Sequence, residues 1–325
     1  MINLFDKKTK LIFLFIFLTE LFSIFAFWLP DFEKAAFFII AGLVLILSLI
    51  NPPTPLSKGG IREYGILILL AELFIGSKGY LFYFDTTGAV ISIRIALWLI
   101  VMAVWLGKLL AKWMGNRGFN PQAWGFNPHK HFKYFLPLFI FIVWGVINGF
   151  LNHNDFGNIF FDFNGWLYFA LIFPIYDFIK NKENIYDLGR VFLAAMVWIS
   201  FKTFFLLFVF SHDCIGMVSE LYRWVRGTGV GEITLIQGGF YRVFFQSHIF
   251  VLIGFFILLA FFSNQLFKNK KFLTFLPRPP RHSDGLGGGY FLFLTSSLSV
   301  ILVSFSRSFW LGLAIGLLFY YFIIL

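Results

Sequence analysis

A handful of cationic and hydroxyl side chains carry most of the chemistry this sequence could perform. Arg242 stands in Gly238-Gly239-Phe240-Tyr241-Arg242-Val243-Phe244-Phe245-Gln246-Ser247-His248, directly before a long apolar run. Arg307 stands in Ser304-Phe305-Ser306-Arg307-Ser308-Phe309-Trp310-Leu311-Gly312, between two further apolar runs. A guanidinium is a planar fork of donors that keeps its charge, so both residues suit a phosphate or diphosphate. Ser306 and Ser308 flank Arg307 with small hydroxyls able to bond the same anion. Arg223 and Arg226 are three apart, share a helical face, and suit either lipid phosphates or a substrate. An acceptor hydroxyl attacking such a substrate would need a base. His248 and His212 are the histidines at hand, with Asp213, Glu220 and Glu232 as carboxylate alternatives. Arg94 and Asp162 fall near the ends of apolar runs and are expected to line a cavity on the same side.

The elements that must hold these residues follow from composition. Of 325 residues, 59% are hydrophobic and only 13% charged, and mean hydropathy is +0.82. A soluble fold of this length could not hide so much apolar surface, because much of any folded surface is already apolar. Fifty phenylalanines would make a soluble chain aggregate. Lipid offers the backbone no hydrogen bonds, so spanning segments must be helices or closed barrels. The apolar runs are continuous rather than alternating, which selects helices. The expected fold class is all-α, a polytopic helical membrane protein forming one transmembrane domain over 1–325. Cys214 is the single cysteine, so no internal disulfide forms. The net charge of +10 points to basic cytoplasmic loops rather than to nucleic acid. No metal and no cofactor is expected, since His129, His131 and His282 lie in loops without ligand spacing.

About ten spans are expected: 11–29, 35–50, 65–84, 88–108, 135–151, 159–179, 191–210, 249–267, 290–305 and 309 to the end. The second is stopped by Asn51-Pro52-Pro53. The last is still apolar at Leu325, the pattern of a chain that continues. Counted in alternate loops, one side receives the Lys and Arg of 7–10, 58–62, 108–133, 180–190 and 268–281, most of the 26. That side is cytoplasmic by the positive-inside rule, and so is the N-terminus. The large loop 211–248 then faces outward. Within it Ile215, Val218, Tyr222 and Val225 recur at helical spacing, which predicts a short helix in the outer interface. Gly227-Thr228-Gly229-Val230-Gly231 reads as a turn. Gly118-Phe119-Asn120-Pro121 echoes as Gly125-Phe126-Asn127-Pro128 in a turn-rich inner loop, and 268–289 reads as a flexible basic, Pro- and Gly-rich connection. Lys202, Glu20 and Glu72 lie inside spans, where charges are costly, and are expected to pair within the bundle; the same pairing is the alternative for Arg94.

An outward Arg-led segment entering one helix, followed two helices later by Ser306-Arg307-Ser308 opening another, resembles the bacterial O-antigen ligase and O-antigen polymerase family. The resemblance covers 238–325. It departs from the family pattern after Arg242, where Gln246-Ser247-His248 stands without a glycine or a Pro-Asn pair, and at Ser308, where glycine is commoner. What it implies is a GT-C-like bundle in the bacterial cytoplasmic (inner) membrane. It further implies metal-independent transfer of a glycan from an undecaprenyl-diphosphate carrier to an acceptor glycan or lipid A-core type acceptor. Arg242 and Arg307 would hold the diphosphate. Fixed guanidiniums in a water-poor site stabilise the charge that develops on such a leaving group. The competing expectation is a multi-pass transporter or lipid-linked-oligosaccharide flippase, which would favour repeat symmetry and broken helices. An acidic pair in the first outer loop, Asp31 and Glu33, sits in a loop too short to cradle a substrate.

Overall fold

The computed structural model describes residues 7–49, 64–85, 90–115, 128–179, 182–214, 216–266 and 286–324. Helices α1 (Lys7–Phe27), α2 (Pro30–Leu49) and α3 (Tyr64–Ile75) are followed by a small hairpin, β1 (Tyr83–Asp85) and β2 (Val90–Ser92). Next come α4 (Ile93–Gly115), α5 (Pro128–Leu151), α6 (Phe156–Leu167), a 3-10 turn at Tyr168–Leu171, α7 (Ile172–Phe178) and α8 (Lys182–Ser211). Helix α9 (Val218–Gly227), the hairpin β3 (Gly231–Ile236) and β4 (Phe240–Phe245), then α10 (His248–Leu266), α11 (Leu286–Val303) and α12 (Arg307–Ile324) complete the order.

Among the described residues six stretches are long and apolar enough to cross a membrane: Lys7–Phe27, Phe32–Leu49, Ile93–Leu110, Tyr134–Leu151, Phe156–Phe178 and Lys182–Ser211. Tyr64–Ile75, His248–Phe261, Phe291–Val303 and Arg307–Phe322 are apolar but shorter. The chain therefore has the architecture of a helical membrane protein. Its many exposed Phe, Leu and Ile side chains, such as Phe141 at 71%, fit contact with lipid rather than water.

Three expectations about the elements need correction. The run 65–84 is helical only to Ile75, because the chain turns through Ser77 and Gly79, both with left-handed φ (49° and 90°). A side chain at Gly79 would meet the Arg94 guanidinium at 2.9 Å, so glycine is required there twice over. The run 159–179 is broken by the 3-10 turn at Tyr168–Leu171, just ahead of Pro174. Proline lacks an amide hydrogen, and its ring crowds the carbonyl four residues back. Finally, the all-α description omits two antiparallel hairpins. The Asn51-Pro52-Pro53 stop, the Gly-Phe-Asn-Pro repeat over 118–127, the connection 268–285 and Ile215 lie outside the described residues.

Helix α8 is the axis of the bundle. At about 1.5 Å per residue its 30 residues extend about 45 Å, beyond the about 30 Å hydrocarbon layer. Its buried positions Val191, Ala194, Ala195, Trp198, Ile199, Lys202, Thr203, Leu206, Val209 and Phe210 form a continuous stripe at helical spacing. Helices α1, α3, α10 and α11 and strand β4 pack around it. In the middle of this core Lys202 Nζ meets Glu20 Oε1 at 2.6 Å, and Trp198 Nε1 donates to Glu20 Oε2 at 2.7 Å. Glu72 pairs with Arg94, also at 2.6 Å, so the charges inside the spans pair with one another as expected.

Four connections gather at one end of the bundle. Ser23 Oγ donates to the Leu81 carbonyl at 2.6 Å, and the Arg223 guanidinium lies 4.8 Å from the Trp28 ring centroid. A side chain at Gly229 would touch Lys78, and Arg242 bonds the Ser304 carbonyl. The segments around Trp28, Lys78 to Leu81, Arg223 to Arg242, and Ser304 are therefore neighbours.

Helix α12, which carries Arg307, approaches α10 so closely that a Cβ at Gly316 would overlap the Phe256 ring. An aromatic ring in a packed seam cannot yield as a methionine would, so Gly316→Ala is expected to destabilise the protein by about 1–3 kcal/mol. A lowered thermal unfolding midpoint in detergent would show it; an unchanged midpoint would mean that this seam is loose.

Candidate functional site

The site begins with the β3–β4 hairpin. Its register pairs Ile233 with Val243, Thr234 with Arg242, and Glu232 with Phe244. Alternation puts Ile233, Val243 and Phe245 on one face, where all three are buried. Glu232, Thr234, Arg242 and Phe244 share the other face. The turn uses Gly238 and Gly239, both at positive φ (96° and 81°), as a tight hairpin requires. Alternating apolar residues either side of Gly-Gly are a hairpin signal in the sequence, weaker than the helical periodicity that precedes it.

Arg242 leaves this second face toward the corner between α11 and α12. Its Nε donates to the Ser304 carbonyl at 2.9 Å, and its guanidinium carbon lies 4.9 Å from the Phe244 ring centroid. Phe244 in turn stacks on Phe309 of α12, with centroids 5.8 Å apart. The hairpin is thereby held against the start of α12 by one hydrogen bond and a layer of rings. Ser304 and Arg307 are three residues apart, so their Cα atoms are separated by at most about 11 Å. The structure thus brings Arg242 to the segment that carries Arg307.

The corner is a sharp turn. Phe305 has φ 45°, a left-handed conformation that a bulky side chain rarely adopts and that costs on the order of 1–3 kcal/mol. Ser304 and Ser306 are buried, and the Ser306 and Ser308 hydroxyls bond each other at 2.9 Å. Arg307 is the first residue of α12 and exposed, with Ser308 beside it. The first turn of α12 carries no acidic residue. A cation at a helix N-terminus adds to, rather than offsets, the positive end of the dipole. The first amides of the helix also lack intrahelical acceptors. Among the described residues no carboxylate pairs with Arg242 or Arg307. Arg242, Arg307 and a helix start therefore share this corner of the fold without a carboxylate partner among the described residues, the kind of surroundings an anion favours.

The other expected site residues fall elsewhere. Helix α9 exists, but its buried side is Leu221, Trp224 and Val225, and Tyr222 faces outward. The Trp224 indole reaches Ser23 Oγ at 3.3 Å, which turns the helix about one position from the expected stripe. Arg223 and Arg226 are both exposed: one rests on Trp28, the other lies 3.6 Å from Glu232. The pKa of Arg226 is raised, first by its bond to Tyr222, so it stays cationic. Through Glu232 it borders the face that carries Arg242. Arg94 is buried and engaged, with Nε on Glu72 Oε2 and Nη1 on the Ser77 carbonyl, both at 2.6 Å. Asp162 lines a cavity of about 380 Å³ between α5 and α6, whose lining does not include Arg94.

His248 is fully buried at the start of α10. Thr203 Oγ1 donates to the Ile199 carbonyl, so it must accept from His248 Nε2 at 2.9 Å. The Phe245 amide donates to Nδ1 at 3.4 Å. These partners fix the neutral Nε2–H tautomer and occupy both nitrogens. His248 accordingly braces the strand–helix junction behind Arg242 and has no path to a substrate hydroxyl. Of the carboxylates near the loop, Asp213 and Glu220 are exposed, and Glu232 faces Arg226. The candidate locus is therefore Arg242, Arg307 and the Ser304–Ser308 corner, with Arg226 at its margin. Compared with known protein families, characterised proteins and solved structures, the chain matches none of them.

Proposed function

We propose that the protein transfers a glycan from a polyprenyl-diphosphate carrier to an acceptor sugar at the outer face of a bacterial cytoplasmic membrane, without a metal. The observation that carries this reading is the bond from Arg242 to the carbonyl of Ser304, which sets its guanidinium beside the uncompensated start of α12. In the reaction, the bond from the sugar C1 to the diphosphate oxygen breaks and a bond from C1 to the acceptor oxygen forms. The acceptor proton leaves to a base, and the negative charge collects on the departing diphosphate. Two forks and the first amides of α12 are suited to that charge. A ten-span bundle with a cytoplasmic N-terminus, GT-C-like in outline, puts the gathered connections outward, because the other loops carry most of the Lys and Arg. At that level a carrier's diphosphate lies among headgroups and its isoprenoid among the spans.

Deleting the gene from its host should remove a surface glycan and accumulate its diphosphate-linked precursor, exposed at the outer face. A precursor held at the inner face would favour a flippase instead. The buried pairs Glu20–Lys202 and Glu72–Arg94 are where a transporter would keep a coupling site, and they give that second reading its support. Unchanged surface glycans together with an unchanged lipid-linked pool would refute glycan transfer.

A further inference from the structure

Beside the hairpin, an open cleft of about 770 Å³ lies between the end of α8, helix α9 and the strand pair. It is of ligand-pocket size, about 300–1,000 Å³. We propose that this cleft binds the saccharide acceptor, an inference that rests on the glycan-transfer reading above. Its lining combines two kinds of surface. Tyr222 and Tyr241 supply aromatic rings, while Asp213, Ser219 and Thr234 supply carboxylate and hydroxyl groups. A pyranose presents the same pair of surfaces, an apolar C–H face and a rim of hydroxyls that both donate and accept. Aromatic rings pack on the first, and Asp, Ser and Thr oxygens serve the second.

Charge separates this cleft from the arginine locus. Asp213 is the sole ionic side chain among its lining residues and would repel a phosphate; Arg226, 5.8 Å from the Tyr222 ring centroid, is shared with Glu232. A hydrocarbon chain fits poorly too, since it would desolvate Asp213, Ser219 and Thr234 without bonding them. A neutral, hydroxyl-rich ligand remains.

Register then sets the distance between the two sites. Thr234 lines the cleft and is the direct partner of Arg242. Paired residues on antiparallel strands lie about 4.5–5.5 Å apart. Ile233, Leu235 and Tyr241 occupy the face opposite Arg242, so an acceptor in the cleft would reach the diphosphate around the hairpin, past Thr234.

Cys214, the single cysteine, also lines the cleft and is partly exposed, so the native chain carries its own reporter. The experiment is alkylation of Cys214 by N-ethylmaleimide in the full chain in lipid nanodiscs. It is run with and without millimolar oligosaccharides released from the host's own surface polysaccharides. Saccharide is expected to slow alkylation at least fivefold. Tyr241→Ala and Asp213→Asn should abolish that protection, and Arg242→Gln should retain it. Asp213→Asn changes only an exposed charge, so it reports even if Tyr241→Ala fails to fold. Equal rates with and without saccharide would overturn the proposal, as would protection that survives in Asp213→Asn and Tyr241→Ala. Protection retained in Arg242→Gln while transfer is lost would uphold both readings; protection without any transfer in the wild type would refute only the transferase reading.

Discussion

Replacing Arg242 by lysine is expected to lower glycan transfer at least a hundredfold while leaving the chain inserted and folded. Arg242 uses one donor, Nε, on the Ser304 carbonyl, and the remaining donors of its fork are available to an anion. Lysine carries one ammonium on a flexible stem. It can bond the carbonyl or the diphosphate, but cannot span both with fixed geometry. Loss of one preorganised donor to a developing oxyanion typically lowers turnover about 10²–10³-fold. Arg307→Lys should give a similar loss for a different reason. The charge at the start of α12 survives, but the planar fork that matches two phosphate oxygens does not. In a reconstituted assay, kcat should fall in both variants with thermal stability unchanged. Wild-type transfer in both would sink the diphosphate assignment. The buried His248 supplies the contrast: His248→Gln should alter stability more than the pH profile of transfer, since both ring nitrogens are already occupied within the fold.

The second large effect lies in the core. Lys202→Met leaves the buried Glu20 carboxyl without its cation, although Trp198 still donates to it. Removing one member of a buried pair typically costs about 3–5 kcal/mol. Lys202 also packs beneath the Phe245 ring, 4.7 Å from its centroid, and Phe245 ends the strand that bears Arg242. The damage should therefore extend to the site. The double variant Lys202→Met, Glu20→Gln removes both charges and keeps an acceptor for the Trp198 indole. It should recover most of the lost stability, a strong non-additivity measurable by thermal unfolding in detergent. If it also transfers glycan normally, the pair is architectural; recovered stability without activity would point to the transporter reading. A single variant within about 1 kcal/mol of wild type would show that the pair contributes little.

Much of this molecule is written locally. Continuous apolar runs determined where helices form, because hydrocarbon leaves the backbone few alternatives. Each of the ten expected runs contains an apolar helix. That the charges inside the spans pair with one another was also legible, since an unpaired charge at that depth would be too costly, but which partners meet was not. The break at Pro174 and the turn at Gly238-Gly239 had sequence signals of their own. What the chain's order could not convey was which outer residues meet. Arg242 and Ser304 are 62 positions apart, and no periodicity links them. Only the packing of β4 against α8 and α11 brings them together. The same holds for His248, which as a residue type reads as a base. In the fold it is a brace, because Thr203 from one turn of α8 and the Phe245 amide close on its two nitrogens. Arg94 likewise reads as a cavity ligand until Glu72 is found beside it. Residue type and spacing thus determined the helices and the inventory of charges. The tertiary structure decided which of those charges are spent on one another, since an ion's availability depends on neighbours that sequence distance does not encode.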